Sequence, residues 1–154
     1  MSPFDATPGA VLFSCNFNKV RSPMAEALMK LAYGNAIFVD SCGLKADPDD
    51  DGMDPFAAAV LEELGIDPTL HRPKSFEDLE DDSFDVVISL TPEAQHRAVE
   101  LSRGRAVDIE YWPTYDPTLV TGSREQRLEA YRQVRDELYG RIRRRFGRVV
   151  TAGG

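Results

Sequence analysis

Cysteine, histidine and tryptophan are scarce in this 154-residue chain, at two, two and one. Two cysteines cannot build a disulfide framework, which points to a reducing compartment and hence the cytoplasm. Neither they nor the histidines stand at metal-ligand spacing, so no structural zinc site and no other cofactor is expected. Nowhere do the ~18 unbroken apolar residues of a membrane-crossing helix occur. Met1 to Ala10 holds no basic stretch leading into an apolar one, so no export signal is expected. Positive charge is in deficit too: 18 Lys+Arg against 26 Asp+Glu leave −8, which argues against nucleic acid or a membrane as partner. The deficit is uneven. Residues 1–100 hold 7 basic and 19 acidic side chains, and residues 101–154 hold 11 and 7.

What is present is alternation. The length fits one domain over 1–154, enough chain to bury roughly 70% of its unfolded surface. Val11-Leu12-Phe13, Ile37-Phe38-Val39, Val86-Val87-Ile88 and Val107 to Trp112 are short apolar runs of strand character. Between them Met24, Leu28 and Leu31, then Phe56, Val60, Leu61 and Leu64, then Ala94, Ala98 and Leu101 recur at helical spacing. Gly34, Gly65 and Gly104 follow these helices as left-handed stops. A last, long helix carries Leu128, Tyr131, Val134, Leu138, Ile142 and Phe146 on one stripe. Four strand–helix repeats predict an α/β domain: a four-stranded parallel sheet with helices on both faces. Ligands in such folds bind at the carboxyl ends of the strands, so the loops after Phe13, Val39, Ile88 and Tyr111 are the places to look. Ala46 to Pro55 and Glu77 to Asp85 are expected to be solvated loops.

The loop after the first strand reads Cys15-Asn16-Phe17-Asn18-Lys19-Val20-Arg21-Ser22-Pro23. Ser22-Pro23 is expected to open a helix as N-cap and first helical residue. A loop of this length over a helix N-terminus turns several N–H groups into one concavity that suits a tetrahedral oxyanion. Asn16, Phe17, Asn18, Lys19, Val20, Arg21 and Ser22 would line it, with Arg21 gripping two anion oxygens. The same field favours a thiolate at Cys15, poised beneath the bound anion as a nucleophile. The Cys-x5-Arg spacing is not distinctive by itself, arising by chance in roughly one chain of this composition in five. The strand before it and the Ser-Pro helix start after it give it meaning.

Val11-Leu12-Phe13-Ser14-Cys15, Asn18 and Arg21-Ser22-Pro23-Met24-Ala25-Glu26-Ala27 resemble the low-molecular-weight protein tyrosine phosphatases. That superfamily also contains thiol-dependent arsenate reductases. Asp40-Ser41-Cys42-Gly43, Pro48 to Ile66-Asp67, His71-Arg72 and Tyr115-Asp116-Pro117 extend the resemblance through the chain in order. It implies a strand order of 2-1-3-4, with Cys15 as nucleophile, Arg21 as phosphate clamp and Ser22 as hydroxyl donor to the Cys15 thiolate. It implies that Asn18, Ser41 and His71 support the loop. Asp116 would protonate the leaving oxygen and then activate the water that hydrolyses phosphocysteine. A metal-free phosphomonoester hydrolase, acting on phosphotyrosine proteins or small phosphomonoesters, is the expectation. The alternatives are an arsenate reductase that uses an external low-molecular-weight thiol and a phosphate-binding module without turnover. Inorganic phosphate or arsenate would fit the same cradle.

Three positions depart from that family. Phe17 stands where glycine is usual, Val20 replaces a second loop cysteine, and Thr118 replaces an aromatic after Asp-Pro. Elsewhere His96 is expected to be exposed, Cys42 to be a packing residue in the loop after the second strand, and Trp112 and Tyr115 to flank the cleft or pack. The aspartates at 47, 49, 50, 51 and 54 are expected to form a solvated loop, which the resemblance brings close to the cleft, where it could select basic-flanked substrates or repel acidic phosphoproteins. Arg141, Arg143, Arg144, Arg145 and Arg148 would complement the dipole at the end of the last helix.

Overall fold

A computed structural model describes residues 8–50, 52–80 and 83–147. Four strands, β1 (Ala10–Cys15), β2 (Phe38–Gly43), β3 (Val86–Ser89) and β4 (Asp108–Tyr111), pair in parallel in the order β2-β1-β3-β4. Four helices connect and follow them: α1 (Arg21–Tyr33), α2 (Pro55–Glu62), α3 (Pro92–Ser102) and α4 (Arg124–Phe146). This is the single α/β domain and strand order expected from the sequence.

Strand alternation divides the core in two. Val11, Phe13 and Cys15 of β1 face the larger cluster, which α1, α2 and α4 complete with Met24, Leu28, Val60, Leu61, Leu138 and Ile142. Leu12 of β1 faces the smaller one, with Cys42, Phe84, Val87 and Ala98 of α3. The expected stripe on α4 is buried at Leu128, Tyr131, Val134, Leu138 and Ile142. Arg135 joins it, donating to the Val60 carbonyl and to Glu63. Gly34, Gly65 and Gly104 all have positive φ, as helix stops require.

Four expectations change. The Asp40 to Gly43 stretch lies inside β2 rather than after it, because β2 begins at Phe38 and runs on through Gly43. Helix α2 starts at Pro55, where Asp54 caps the Phe56 and Ala57 amides, so Asp54 leaves the acidic loop for a structural role. Leu31, Leu64 and Leu101, placed on the apolar faces of the first three helices, are 47%, 38% and 41% exposed: α2 ends at Glu62, before Leu64, and α3 buries only Ala94 and Ala98 against the sheet. The stretch before β3 is not simply solvated: Phe84 is buried and stacks on Phe38, and Asp85 accepts from the Gly9 and Ala10 amides. Asp51, Asp81, Asp82 and Arg148 lie outside the described residues.

Candidate active site

The loop between β1 and α1 wraps the start of α1. Helix α2 is capped by Asp54, α3 by Thr91 and α4 by Ser123 in a capping box. Helix α1 has no side-chain cap and no acidic residue in its first turn. Its free N–H groups and the positive end of its dipole are left uncompensated at the loop, which is what an oxyanion needs.

Ser22 explains the missing cap. The helix begins two residues earlier than expected, at Arg21, so Ser22 is its second residue and Val20 occupies the cap position. The Ser22 hydroxyl turns inward instead, 2.9 Å from Cys15 Sγ and 3.2 Å from the Cys42 carbonyl. The Asn18 amide N–H donates to the same sulfur at 3.3 Å. Cys15 is 3% exposed, at the end of β1 and the floor of the loop.

Asn18 holds the loop's shape. Its φ of 56° is left-handed, which asparagine tolerates better than most residues. Its side-chain amide donates to Ser22 Oγ and Ser41 Oγ, both at 2.9 Å, and its Oδ1 accepts from the Lys74 amide. The Ser41 hydroxyl in turn donates to Glu26 Oε1 at 2.6 Å. His71 Nε2 reaches the Asn18 carbonyl at 2.7 Å, a contact that makes it the donor, and burial lowers its pKa from the ordinary imidazole value. The expected trio of Asn18, Ser41 and His71 therefore meets in one network. Gly43 backs onto the loop so closely that a Cβ there would stand 2.6 Å from the Asn18 nitrogen and 2.8 Å from the Phe17 carbonyl carbon.

The remaining loop side chains are nearly all engaged. Asn16 Oδ1 accepts from Thr91, Lys19 Nζ pairs with Asp50 at 3.5 Å, and Val20 packs on the larger core. Arg21 Nη1 donates to the Thr114 carbonyl at 2.9 Å, and its Nη2 lies 3.9 Å from Asp116 Oδ2. Asp116 is oriented by Thr118, whose amide and hydroxyl donate to Oδ1 at 3.0 and 2.6 Å. Thr118 thus positions the aspartate. Phe17 is the exception, 56% exposed and outside both core clusters.

The Cys15 thiol, the uncapped start of α1, the Arg21 guanidinium and the Asp116 carboxyl group are thus assembled beyond the carboxyl ends of β1 and β4. The arrangement can attack a tetrahedral oxyanion from below and protonate the group that departs above it. Sequence reasoning missed Glu26, Thr91, Lys74 and Thr114. Glu26 follows Ser22 by four residues, a spacing that sets both on one helix face; the other three carried no signal. Trp112 is buried in the core edge-on to Phe13, with centroids 6.1 Å apart, while Tyr115 is exposed. His96 is exposed as expected, paired with Glu100. Among the described residues no cluster of His, Cys, Asp or Glu could hold a metal, and no helix is long and apolar enough to cross a membrane.

Such a fold and loop define a class of α/β domains built around an oxyanion cradle at the first strand–helix junction. Residues 10–149 match the family model of the low molecular weight phosphotyrosine protein phosphatases, and the chain belongs to that family. Within it the resemblances divide. The chain is 32% identical over 139 residues to the glutaredoxin arsenate reductase of Synechocystis sp., covering 90% of this chain and 97% of that protein. It superposes on a low molecular weight protein tyrosine phosphatase from T. tengcongensis with a TM-score of 0.70 and 31% identity, covering 86% and 94% of the two chains. An arsenate reductase in a phosphate-binding state gives 0.67 and 31%, with 89% and 95% covered.

Proposed function

We propose that the protein is an arsenate reductase that draws its reducing equivalents from an external low-molecular-weight thiol. The thiol must be external because Cys15 has only a cysteine that cannot resolve it. Cys42, the only other one, is buried on the opposite face of the sheet, and burial holds its thiol pKa well up. The observation that carries the reading is the likeness to the glutaredoxin arsenate reductase of Synechocystis, 32% identical over 139 residues.

The first step is a displacement at arsenic. Arsenate settles on the free N–H groups of the loop and α1, and Arg21 leaves the Thr114 carbonyl to grip it. Cys15 sulfur bonds to arsenic, and an arsenate oxygen leaves as water with a proton from Asp116. Ser22 steadies the sulfur before and after. The thiolate of an external thiol such as glutathione then attacks Cys15 sulfur. The sulfur–arsenic pair goes to arsenic, which departs as arsenite and leaves Cys15 in a mixed disulfide. A second thiol frees Cys15. Arsenate and two thiols thus give arsenite, one disulfide and water.

Phosphotyrosine phosphatase activity is the second reading, favoured by the Asp116 carboxylate poised beside Arg21, since a phosphoenzyme route needs an acid and then a base there. Steady-state assay of arsenate with glutathione beside p-nitrophenyl phosphate separates the two. Arsenite formation that dominates supports the reductase. Efficient hydrolysis of p-nitrophenyl phosphate with no arsenite formed would reverse the order.

A further inference from the structure

One polar group of the cradle is left over. Asn18 is engaged with Ser22, Ser41 and Lys74, and Lys19 with Asp50. Asn16, directly after Cys15, uses only one end of its side-chain amide: Oδ1 accepts from Thr91 Oγ1 at 2.7 Å. Thr91 is 1% exposed, and its hydroxyl already accepts from the Ala94 N–H at the start of α3. The one proton of that buried hydroxyl needs an acceptor, which sets the Asn16 oxygen, and not its nitrogen, against Thr91. Asn16 Nδ2 has no acceptor among the described residues. Gln95 Oε1 is the only buried side-chain polar atom there without a partner, so Nδ2 opens on solvent.

The contacts of Asn16 place it on the rim of the cleft. Its carbonyl is held from behind by the Lys45 N–H at 2.6 Å. Leu90, the residue before Thr91, accepts from the Thr114 N–H at 3.2 Å, and the Thr114 carbonyl in turn holds Arg21. Arg21 precedes Ser22, whose hydroxyl meets Cys15 Sγ. One circuit of contacts thus leaves Cys15 through Asn16, passes the acid loop, and returns through Ser22. A tetrahedral anion that turns three oxygens onto the N–H groups of the loop leaves its fourth substituent pointing out through this rim. In a free oxyanion the fourth substituent is an oxygen able to accept from a waiting amide. In an aryl ester it carries a ring, which covers the amide and leaves its protons with neither water nor partner.

We propose that Asn16 Nδ2, oriented by Thr91, selects a free oxyanion over its aryl ester by donating to that fourth oxygen. Thr91 is the positioning residue of the pair. That the anion is arsenate rests on the arsenate-reductase reading; the choice of anion over ester does not.

Calorimetry with two probes, inorganic phosphate and phenylphosphonate, tests the selection. Neither is turned over, so failure of the selection and failure of arsenate reduction are read separately. Asn16→Leu keeps the size of the side chain and removes the donor. The ratio of phosphate to phenylphosphonate affinity should fall about tenfold, the scale of one hydrogen bond lost to phosphate and one covered donor removed from beside the ring. Thr91→Val should lower the ratio about threefold, and Thr91→Ser should restore it. Thr91→Val also strips the cap from α3, which lowers the thermal melt without moving the ratio, so the ratio separates positioning from stability. An unchanged ratio in Asn16→Leu, whether both affinities hold or both weaken alike, overturns the proposal. So does a Thr91→Ser ratio equal to that of Thr91→Val.

Discussion

Cys15 and Cys42 sit on adjacent strands and face opposite sides of the sheet. Across β1 and β2, Cys15 pairs with Gly43 and Ser14 with Cys42, so the alternation of side chains sends the two sulfurs apart. Cys15 joins the cluster under α1, and Cys42 the cluster under α3. A disulfide between them would need a strand to turn over.

Oxidation follows from this. Val20 offers no sulfur beside Cys15, and Cys42 cannot reach it, so peroxide should carry Cys15 through sulfenic to sulfinic acid. Activity lost after long exposure should not return with dithiothreitol, and Cys42→Ala should behave as wild type. Phosphate should protect by occupying the cradle. Recovery by dithiothreitol that vanishes in Cys42→Ala would make Cys42 a resolving cysteine after all.

Gly43→Ala tests the close approach behind the loop. The added methyl would meet three backbone atoms, at 2.6 Å from Asn18 N, 2.8 Å from Phe17 C and 2.9 Å from Asn16 O, none of which can swing aside. The domain should still fold, with kcat/KM down about 10²-fold, because displacing a positioned loop by an ångström costs that much. Phosphate binding by calorimetry should weaken in parallel. Wild-type affinity would show that the cradle is looser than its geometry.

Much of this was legible in the sequence, for local reasons. Strands buried on both faces leave continuous apolar runs, and Cys15 to Pro23 stands between one of them and a helical period, so the fold and cradle could be read together. Ser22 was misplaced because Ser-Pro is a strong cap signal, and nothing local says that a hydroxyl will be claimed by a sulfur seven residues earlier. Asp54 looked like one more acid in a run; its capping role depends on where α2 begins. Cys42 reads as loop in the sequence because β2 runs on through polar residues, Asp40 and Ser41, that an apolar pattern cannot see. Lys74 and Thr114 act through main-chain atoms, which leave no mark in side-chain chemistry.

His71 should give the protein a pH-dependent stability. Burial lowers its pKa from the ordinary 6.5, and its Nε2 donates to the Asn18 carbonyl. In the unfolded chain the imidazole protonates near pH 6.5, while the folded one resists, so the unfolded state binds more protons below that pH. The stability contribution is complete above about pH 6.5 and is lost as pH falls toward the lowered folded value. Urea midpoints should fall on acidification more steeply in wild type than in His71→Asn. Parallel slopes in the two proteins would mean that His71 does not sense pH.

Asp116→Asn removes the proton that the departing oxygen needs while keeping the turn that Thr118 holds. Turnover should fall by about 10² or more, the usual range for a positioned general acid. In phosphomonoester assays the loss should be larger for alkyl than for p-nitrophenyl leaving groups. An equal loss for both would leave Asp116 with only its bonds to Thr118.

Arsenate-dependent capture of glutathione on Cys15 tests external-thiol reduction most directly. Enzyme reduced and freed of thiol is mixed with arsenate and one equivalent of glutathione, quenched in acid, and mapped by mass spectrometry beside a measurement of arsenite. The expected result is a glutathione disulfide on Cys15 and none on Cys42, formed only when arsenate is present, with one arsenite released per disulfide. Arsenite without a Cys15 adduct, or no arsenite from an enzyme that hydrolyses p-nitrophenyl phosphate, would contradict it.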